Sequence, residues 1–296
     1  MSATYDITIV IVVYNPTADD MNFISKVSSS YRGVVVDNSP KVNLEENCIG
    51  NMQYIPLKEN TGIAHAQNVA IKHILDSAER PKYIMFFDQD SRYAVSFPQI
   101  MAEEYGRIKE KVKNLAMLGP EVVNIETGKS YKSVIHTEER LDNGFVPKRE
   151  IISSGSIVQT DILSKIGMMV DTMFIDFVDF EWCWRAKHKG FICGTTKNVS
   201  LKHKVGKNTK NICGYPLMIW APYRYYYQYR NYIWLARVTY TPLQWIIATG
   251  IKFVLRIFYF PLFITSGTAC VKQMIRGIKD AIKSYSIFKR EMRVYE

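Results

Sequence analysis

Lys82-Tyr83-Ile84-Met85-Phe86-Phe87-Asp88-Gln89-Asp90-Ser91 is an apolar, aromatic run that stops abruptly in two carboxylates one residue apart. Its first six residues predict a short buried strand. Two like charges beside a hydrophobic core are expensive to desolvate unless something positive lies between them. A hard divalent cation with oxygen ligands meets that need, and Mg²⁺ or Mn²⁺ typically bridges carboxylates to a substrate's phosphates. Asp and Ser also favour turns, so taken alone the pair reads as well as a solvated strand end.

Upstream, Ile7–Val13 is a β-branched run closed by Tyr14-Asn15-Pro16. It is too short for a signal-peptide core and is read as a strand. Asp19 or Asp20 is expected to cap a helix through Phe23, Ile24 and Val27. Val34-Val35-Val36 gives a second strand ending in Asp37-Asn38-Ser39-Pro40, and Tyr54-Ile55-Pro56-Leu57 a third. Asn60-Thr61-Gly62 then opens a helix whose apolar face carries Ile63, Ala66, Val69, Ala70 and Ile74. This alternation predicts βα units and a mostly parallel sheet, with ligands gathering at the strand ends.

Downstream, 96–113 reads as a helix and Ala116-Met117-Leu118 as a strand closed by Gly119-Pro120. Residues 151–159 read as a strand broken by Ser153-Ser154-Gly155-Ser156, followed by a helix from near Asp161 to Gly167. Asp176, Asp179 and Glu181 put three acids into an otherwise apolar, aromatic segment leading into a helix capped by Gly190. An acid there serves as a buried general base, or merely satisfies a helix N-terminus.

Of the net charge of +10, residues 201–296 carry 16 Lys/Arg against three acids, while residues 1–200 carry 22 against 25. A basic C-terminal third points to a negatively charged partner, membrane or nucleic acid. Its Tyr/Arg-dense segment 223–232 precedes apolar stretches near 242–264 and 268–288 with Lys/Arg inserted. The longest uncharged stretch, 257–271, is shorter than the ~18 residues of a spanning helix. Amphipathic helices lying on a membrane face are expected instead. Five scattered cysteines with no CxxC pair fit a reducing compartment.

Together these residues resemble the family 2 glycosyltransferases with the GT-A fold, within them the bacterial rhamnosyltransferase-like branch. The resemblance rests on the ordered motifs around Tyr14-Asn15, Asp37-Asn38-Ser39, Glu59-Asn60-Thr61-Gly62, Asp88-Gln89-Asp90, Ser154-Gly155-Ser156, Val178-Asp179-Phe180-Glu181-Trp182 and His203-Lys204-Val205-Gly206. It implies a Rossmann-like nucleotide-diphospho-sugar transferase domain over 1–213, with 214–296 a basic, aromatic helical region for membrane association or oligomerisation. It places Tyr14, Asn15, Asp37, Asn60, Gly62, Asn68 and Asp88 at the nucleotide, and Asp88, Asp90 and His203 at a Mg²⁺ or Mn²⁺ ion. Trp182 and Arg185 fall near the acceptor or the diphosphate. Relatives carry Glu-Asp where this chain has Val178-Asp179, so the base stays open between Asp179 and Glu181.

The implied activity is inverting, metal-dependent transfer of a sugar to a lipid-linked saccharide acceptor in bacterial O-antigen, capsule or cell-wall polysaccharide synthesis. The donor is expected to be dTDP-rhamnose, with a UDP-hexose (glucose, galactose or galactofuranose) as the alternative. The setting is peripheral, on the cytoplasmic face of the inner membrane, and the Tyr/Arg-rich helix equally suits a homodimer. A nucleic-acid-binding protein is the rival from another class; it leaves the strand-end acids unexplained and is set second. An NAD enzyme is disfavoured because no GxGxxG follows the first strand.

Overall fold

The structure, a computed structural model, describes residues 6–42, 44, 48–124, 141, 143–203, 209–212 and 215–295. The strands are β1 (Ile7–Val13), β2 (Arg32–Asp37), β3 (Cys48–Ile49), β4 (Met52–Pro56), β5 (Tyr83–Asp88), β6 (Leu115–Asn124), β7 (Phe145–Lys148), β8 (Ile157–Gln159), β9 (Ile192–His203), β10 (Thr209–Ile212) and β11 (Tyr215–Met218). The helices are α1 (Ala18–Ser28), α2 (Ile63–Asp76), α3 (Phe97–Lys111), α4 (Thr160–Ile166), α5 (Val178–His188), α6 (Pro222–Leu235), α7 (Leu243–Phe263), α8 (Gly267–Lys283) and α9 (Tyr285–Met292).

Among the described residues nine strands form one sheet, in the order β3-β4-β2-β1-β5-β8-β6-β9-β7. The β4-β2-β1-β5 half is parallel, and β8 runs antiparallel between β5 and β6. This is the mixed α/β architecture expected from the alternating pattern. Both faces of the central strands are covered, so they read as continuous apolar runs. In β5, Ile84 and Phe86 enter the core beneath α2, α4 and α5, while Tyr83, Met85 and Phe87 enter the one beneath α1 and α3.

Local chemistry differs from expectation in three places. Thr17, not an aspartate, caps α1, and Asp20 answers it by accepting from the Thr17 backbone N–H at 2.9 Å. β6 runs on through Gly119-Pro120, because its partner β9 shifts register there rather than parting. β8 keeps only three residues because Gly155, at φ +76°, turns the chain ahead of it.

The C-terminal helices do not stand apart. Trp234, Leu235, Trp245, Ala281 and Phe288 belong to the same core as α2, α4 and α5. A second cluster, with Tyr225, Tyr229, Phe253, Phe260 and Met274, joins α6, α7 and α8 to each other. Close approach there needs Gly277, where a Cβ would lie 2.3 Å from the Tyr226 carbonyl oxygen.

α7 is one unbroken helix of 21 residues despite Lys252, Arg256 and Pro261, and by length and composition alone it is apolar enough to cross a membrane. Arg256 turns inward to the Gln228 side chain at 3.2 Å. Leu243, Ile247, Ile251, Val254, Phe258 and Leu262 form an exposed stripe on the other side.

Candidate active site

The register of the parallel strands brings the acids together. Val13 of β1 pairs with Asp37 of β2, and Val12 pairs with Asp88 of β5, so the two carboxylates flank the point where β1 ends. The chain leaving β1 is pinned on both sides: the Tyr14 N–H donates to Gln89 Oε1 at 2.6 Å, and the Asn15 N–H to Ser39 Oγ at 2.7 Å. Asn15 takes φ +45°, a conformation Asn tolerates better than most residues. Tyr14 stays exposed over this edge.

Asp37 is buried and accepts from the Ser39 N–H at 3.0 Å and from the Tyr54 hydroxyl. Next to it, Asn38 donates to Asn60 Oδ1 at 3.1 Å and accepts from the Thr61 N–H at 2.8 Å, while Asn60 Oδ1 also takes the Gly62 N–H at 3.1 Å. This network fastens the end of β2 to the start of α2. Gly62 has φ +87°, and a Cβ on it would come within 2.6 Å of the Phe174 ring. Only glycine meets both demands.

Asp88 is partly buried and Asp90 exposed. Ser154 ties the turn: its Oγ lies 2.9 Å from Ser91 Oγ and 3.4 Å from the Asp88 backbone nitrogen. Among the described residues no three His, Cys, Asp or Glu side chains cluster tightly enough to cage a metal. Two carboxylates at the strand end suit a cation whose remaining ligands come from a substrate's phosphates and water. His203 ends β9, and its side chain lies outside the described residues, as does the Lys204-Val205-Gly206 that follows.

Asp179, in the first turn of α5, brings its carboxyl within range of the Asp88 charge and of the Ser153 backbone. Burial pushes its carboxyl up to about 7, the charge of Asp88 adds to that, and backbone N–H groups of Phe180, Asp179 and Ser153 oppose it. The Phe180 N–H bond measures 3.0 Å. A carboxylate tuned to titrate near neutrality is suited to accept a proton from a hydroxyl.

The chain enters α5 through a strained loop: Phe174, Asp176 and Phe177 have φ of +64°, +68° and +66°. Each such residue costs ~1–3 kcal/mol and persists only where its surroundings enforce it. Arg224 holds the Asp176 carboxylate at 2.5 Å. The turn before it, Asp171–Met173, is held from two directions. His65 Nδ1 lies 2.8 Å from the Asp171 carboxylate, and Glu291 of α9 accepts the Asp171 and Thr172 N–H groups at 2.5 and 3.0 Å.

Four expected site residues are placed elsewhere. Glu181 is fully buried, bound to Arg185 at 2.9 Å and to the Tyr240 hydroxyl at 2.5 Å. Both of its oxygens are thus engaged within the core, where it anchors α5. Arg185 has no face toward the edge; it also donates to the Ile166 and Met168 carbonyls and lies under the Tyr295 ring. Trp182 is buried with its indole N–H on the Gly167 carbonyl at 2.8 Å. Asn68 exchanges hydrogen bonds with the Met169 backbone, 2.8 Å each way, rather than lining a nucleotide pocket. Tyr54, Gln89, Ser39 and Arg224, none of them expected at the site, hold its side chains and loops in place.

The doubly covered α/β sheet, with two strand-end carboxylates and a glycine-opened helix at one edge, has the GT-A fold of the glycosyltransferases it superposes on. The chain is 31% identical over 247 residues to the dTDP-rhamnosyl transferase RfbF of Shigella flexneri, spanning 79% of this chain and 81% of that one. It is 22% identical over 217 residues to the low-salt glycan biosynthesis hexosyltransferase Agl10 of Haloferax volcanii, 67% of each. The solved structure of S. aureus TarS 1–349 in complex with UDP-GlcNAc superposes with a TM-score of 0.55 at 14% identity, over 95% of this chain and 81% of that one. No family model matches the chain. The chain belongs to the family 2 glycosyltransferases, in their rhamnosyltransferase-like branch, and is a glycosyltransferase.

Proposed function

We propose that this glycosyltransferase is inverting and metal-dependent, and that it moves L-rhamnose from dTDP-rhamnose to a lipid-linked saccharide in bacterial O-antigen, capsule or cell-wall polysaccharide synthesis. The observation that carries the mechanism is Asp179 facing Asp88 at the strand edge with its carboxyl raised to about 7. The similarity to RfbF supports the donor.

Asp37, oriented by Tyr54 and Ser39, receives an N–H of the pyrimidine, and Asn60 and Gly62 shape the wall beside the sugar. Asp88 and Asp90 would hold Mg²⁺ or Mn²⁺, which when bound offsets the charge developing on the leaving diphosphate. Asp179 takes the proton of the acceptor hydroxyl as its oxygen bonds to the anomeric carbon. The bond from that carbon to the diphosphate breaks on the opposite face, so configuration inverts.

The exposed stripe of α7 supports a seat on the cytoplasmic face of the inner membrane. On α8 the exposed Ile275 and Ile282 alternate with the exposed Lys272, Lys279 and Lys283, an arrangement suited to anionic lipid. The nucleic-acid alternative loses ground, since Arg224, Arg230 and Arg256 face inward onto protein partners.

The test is turnover of dTDP-rhamnose, UDP-glucose and UDP-galactose by purified chain with Mn²⁺ or Mg²⁺, then with EDTA, and by Asp90→Ala. Metal-dependent release of dTDP, lost in Asp90→Ala, is expected. Turnover of a UDP-hexose with none of dTDP-rhamnose would overturn the donor. Sedimentation with vesicles containing anionic lipid checks the seat; a salt-insensitive dimer that ignores vesicles would replace it.

A further inference from the structure

Asn231 of α6 is completely buried, far from the sheet edge in sequence, yet all of its polar contacts serve the loop that leads to Asp179. Its Nδ2 donates to the carbonyl oxygens of Met173 at 2.9 Å, Ile175 at 2.9 Å and Asp176 at 3.0 Å. Its Oδ1 accepts from Arg230 Nε at 3.1 Å and Nη2 at 3.0 Å, which fixes the amide's orientation. The same Nη2 donates to the Thr172 and Met173 carbonyls at 2.7 and 3.0 Å. The Phe174 carbonyl is taken by the Ala64 N–H at 3.3 Å, and the Phe177 carbonyl accepts the Glu181 N–H at 2.9 Å, opening α5.

Every carbonyl from Thr172 to Phe177 is thus held, four of them by α6, across a stretch where three residues with side chains adopt positive φ. Left-handed backbone without glycine needs such enforcement. Asp179 follows two residues after the last of the three, in the first helical turn. Any relaxation of the loop therefore rotates the turn that carries the carboxylate.

We infer that Asn231, assisted by Arg230 and Arg224, is a positioning residue for sugar transfer: it holds 173–177 in the shape that aims Asp179 at the acceptor hydroxyl. The inference rests on Asp179 being the base. It assigns part of the catalytic geometry to α6, a helix of the Tyr/Arg-rich segment.

The experiment is a double-mutant cycle on the full chain with Asn231→Ala, Asp179→Asn and both together. The readouts are release of nucleoside diphosphate with water as acceptor, nucleoside diphosphate affinity by calorimetry, and melting temperature. The donor is dTDP-rhamnose, or UDP-glucose if the unaltered chain turns over that one. Asn231→Ala alone should lower kcat on the order of 10²-fold, with donor KM and nucleotide affinity nearly unchanged. On the Asp179→Asn background it should lower kcat no further, because a residue acting through the base has nothing left to aim. Equal losses on both backgrounds, a loss carried by KM, or full activity in folded Asn231→Ala would overturn the inference. Should Asn231→Ala fail to fold, Arg224→Lys takes its place in the same cycle. It keeps the charge but gives up the two-point hold on Asp176 and should lower kcat on the order of tenfold. Full turnover by Asp179→Asn alone would sink the base assignment itself, a separate failure.

Discussion

Asp179 faces Asp88 across the C-terminal edge of the sheet, and the charge on Asp88 adds to burial in holding the Asp179 carboxyl up to about 7. Only its ionised form accepts a proton, so kcat should climb with pH through about 7 and then level off. A flat profile from pH 5.5 to 8.5 would remove Asp179 from the chemistry.

The same shift bears on stability. Between the ordinary value of 3.8 and about 7 the unfolded chain gives up this proton and the folded chain keeps it. Stability is therefore lost as pH rises through that window. Asp179→Asn should melt higher than the unaltered chain at pH 8 and match it near pH 3.5, read by calorimetry at both.

Glu181 and Arg185 form a fully buried pair, and Tyr240 completes the carboxylate's bonding. Glu181→Ala leaves an uncompensated guanidinium in the core and should cost ~3–5 kcal/mol in denaturant unfolding. Activity per folded molecule should hold within about tenfold, far above the loss expected of a base. A collapse of kcat in stable Glu181→Ala would return it to the role of base.

Removing the Tyr54 hydroxyl leaves one oxygen of the buried Asp37 without this donor. Tyr54→Phe should therefore weaken donor binding by ~1–3 kcal/mol, read as a higher donor KM with kcat little changed. An unchanged KM would detach Asp37 from nucleotide recognition.

At Gly62 the positive φ and the Phe174 ring leave no room for a methyl group. Gly62→Ala should lower both the melting temperature and kcat, since the displaced ring belongs to the loop ahead of Asp179. Wild-type behaviour on both counts would show that α2 can retreat.

The strand ends were legible because chemistry and pattern coincide there. Apolar runs that stop at Asp37 and Asp88 announce both the sheet and the side on which ligands sit. For Glu181 the sequence held a clue to its buried pairing: Arg185 follows it by four residues, the spacing of a helical ion pair. The left-handed loop gave no signal, since Phe174, Asp176 and Phe177 are not residues that invite positive φ. Asn231 was hidden for another reason, as its partners lie 55 to 58 residues upstream and only tertiary packing joins them. In α7, Lys252 and Arg256 concealed a continuous helix because composition does not say which way a charge points.

Glu291, which grips the turn at Asp171, is made 120 residues after it. The turn ahead of α5 is therefore closed by chain that is added long after the strands of the sheet, and its shape depends on α9 being in place.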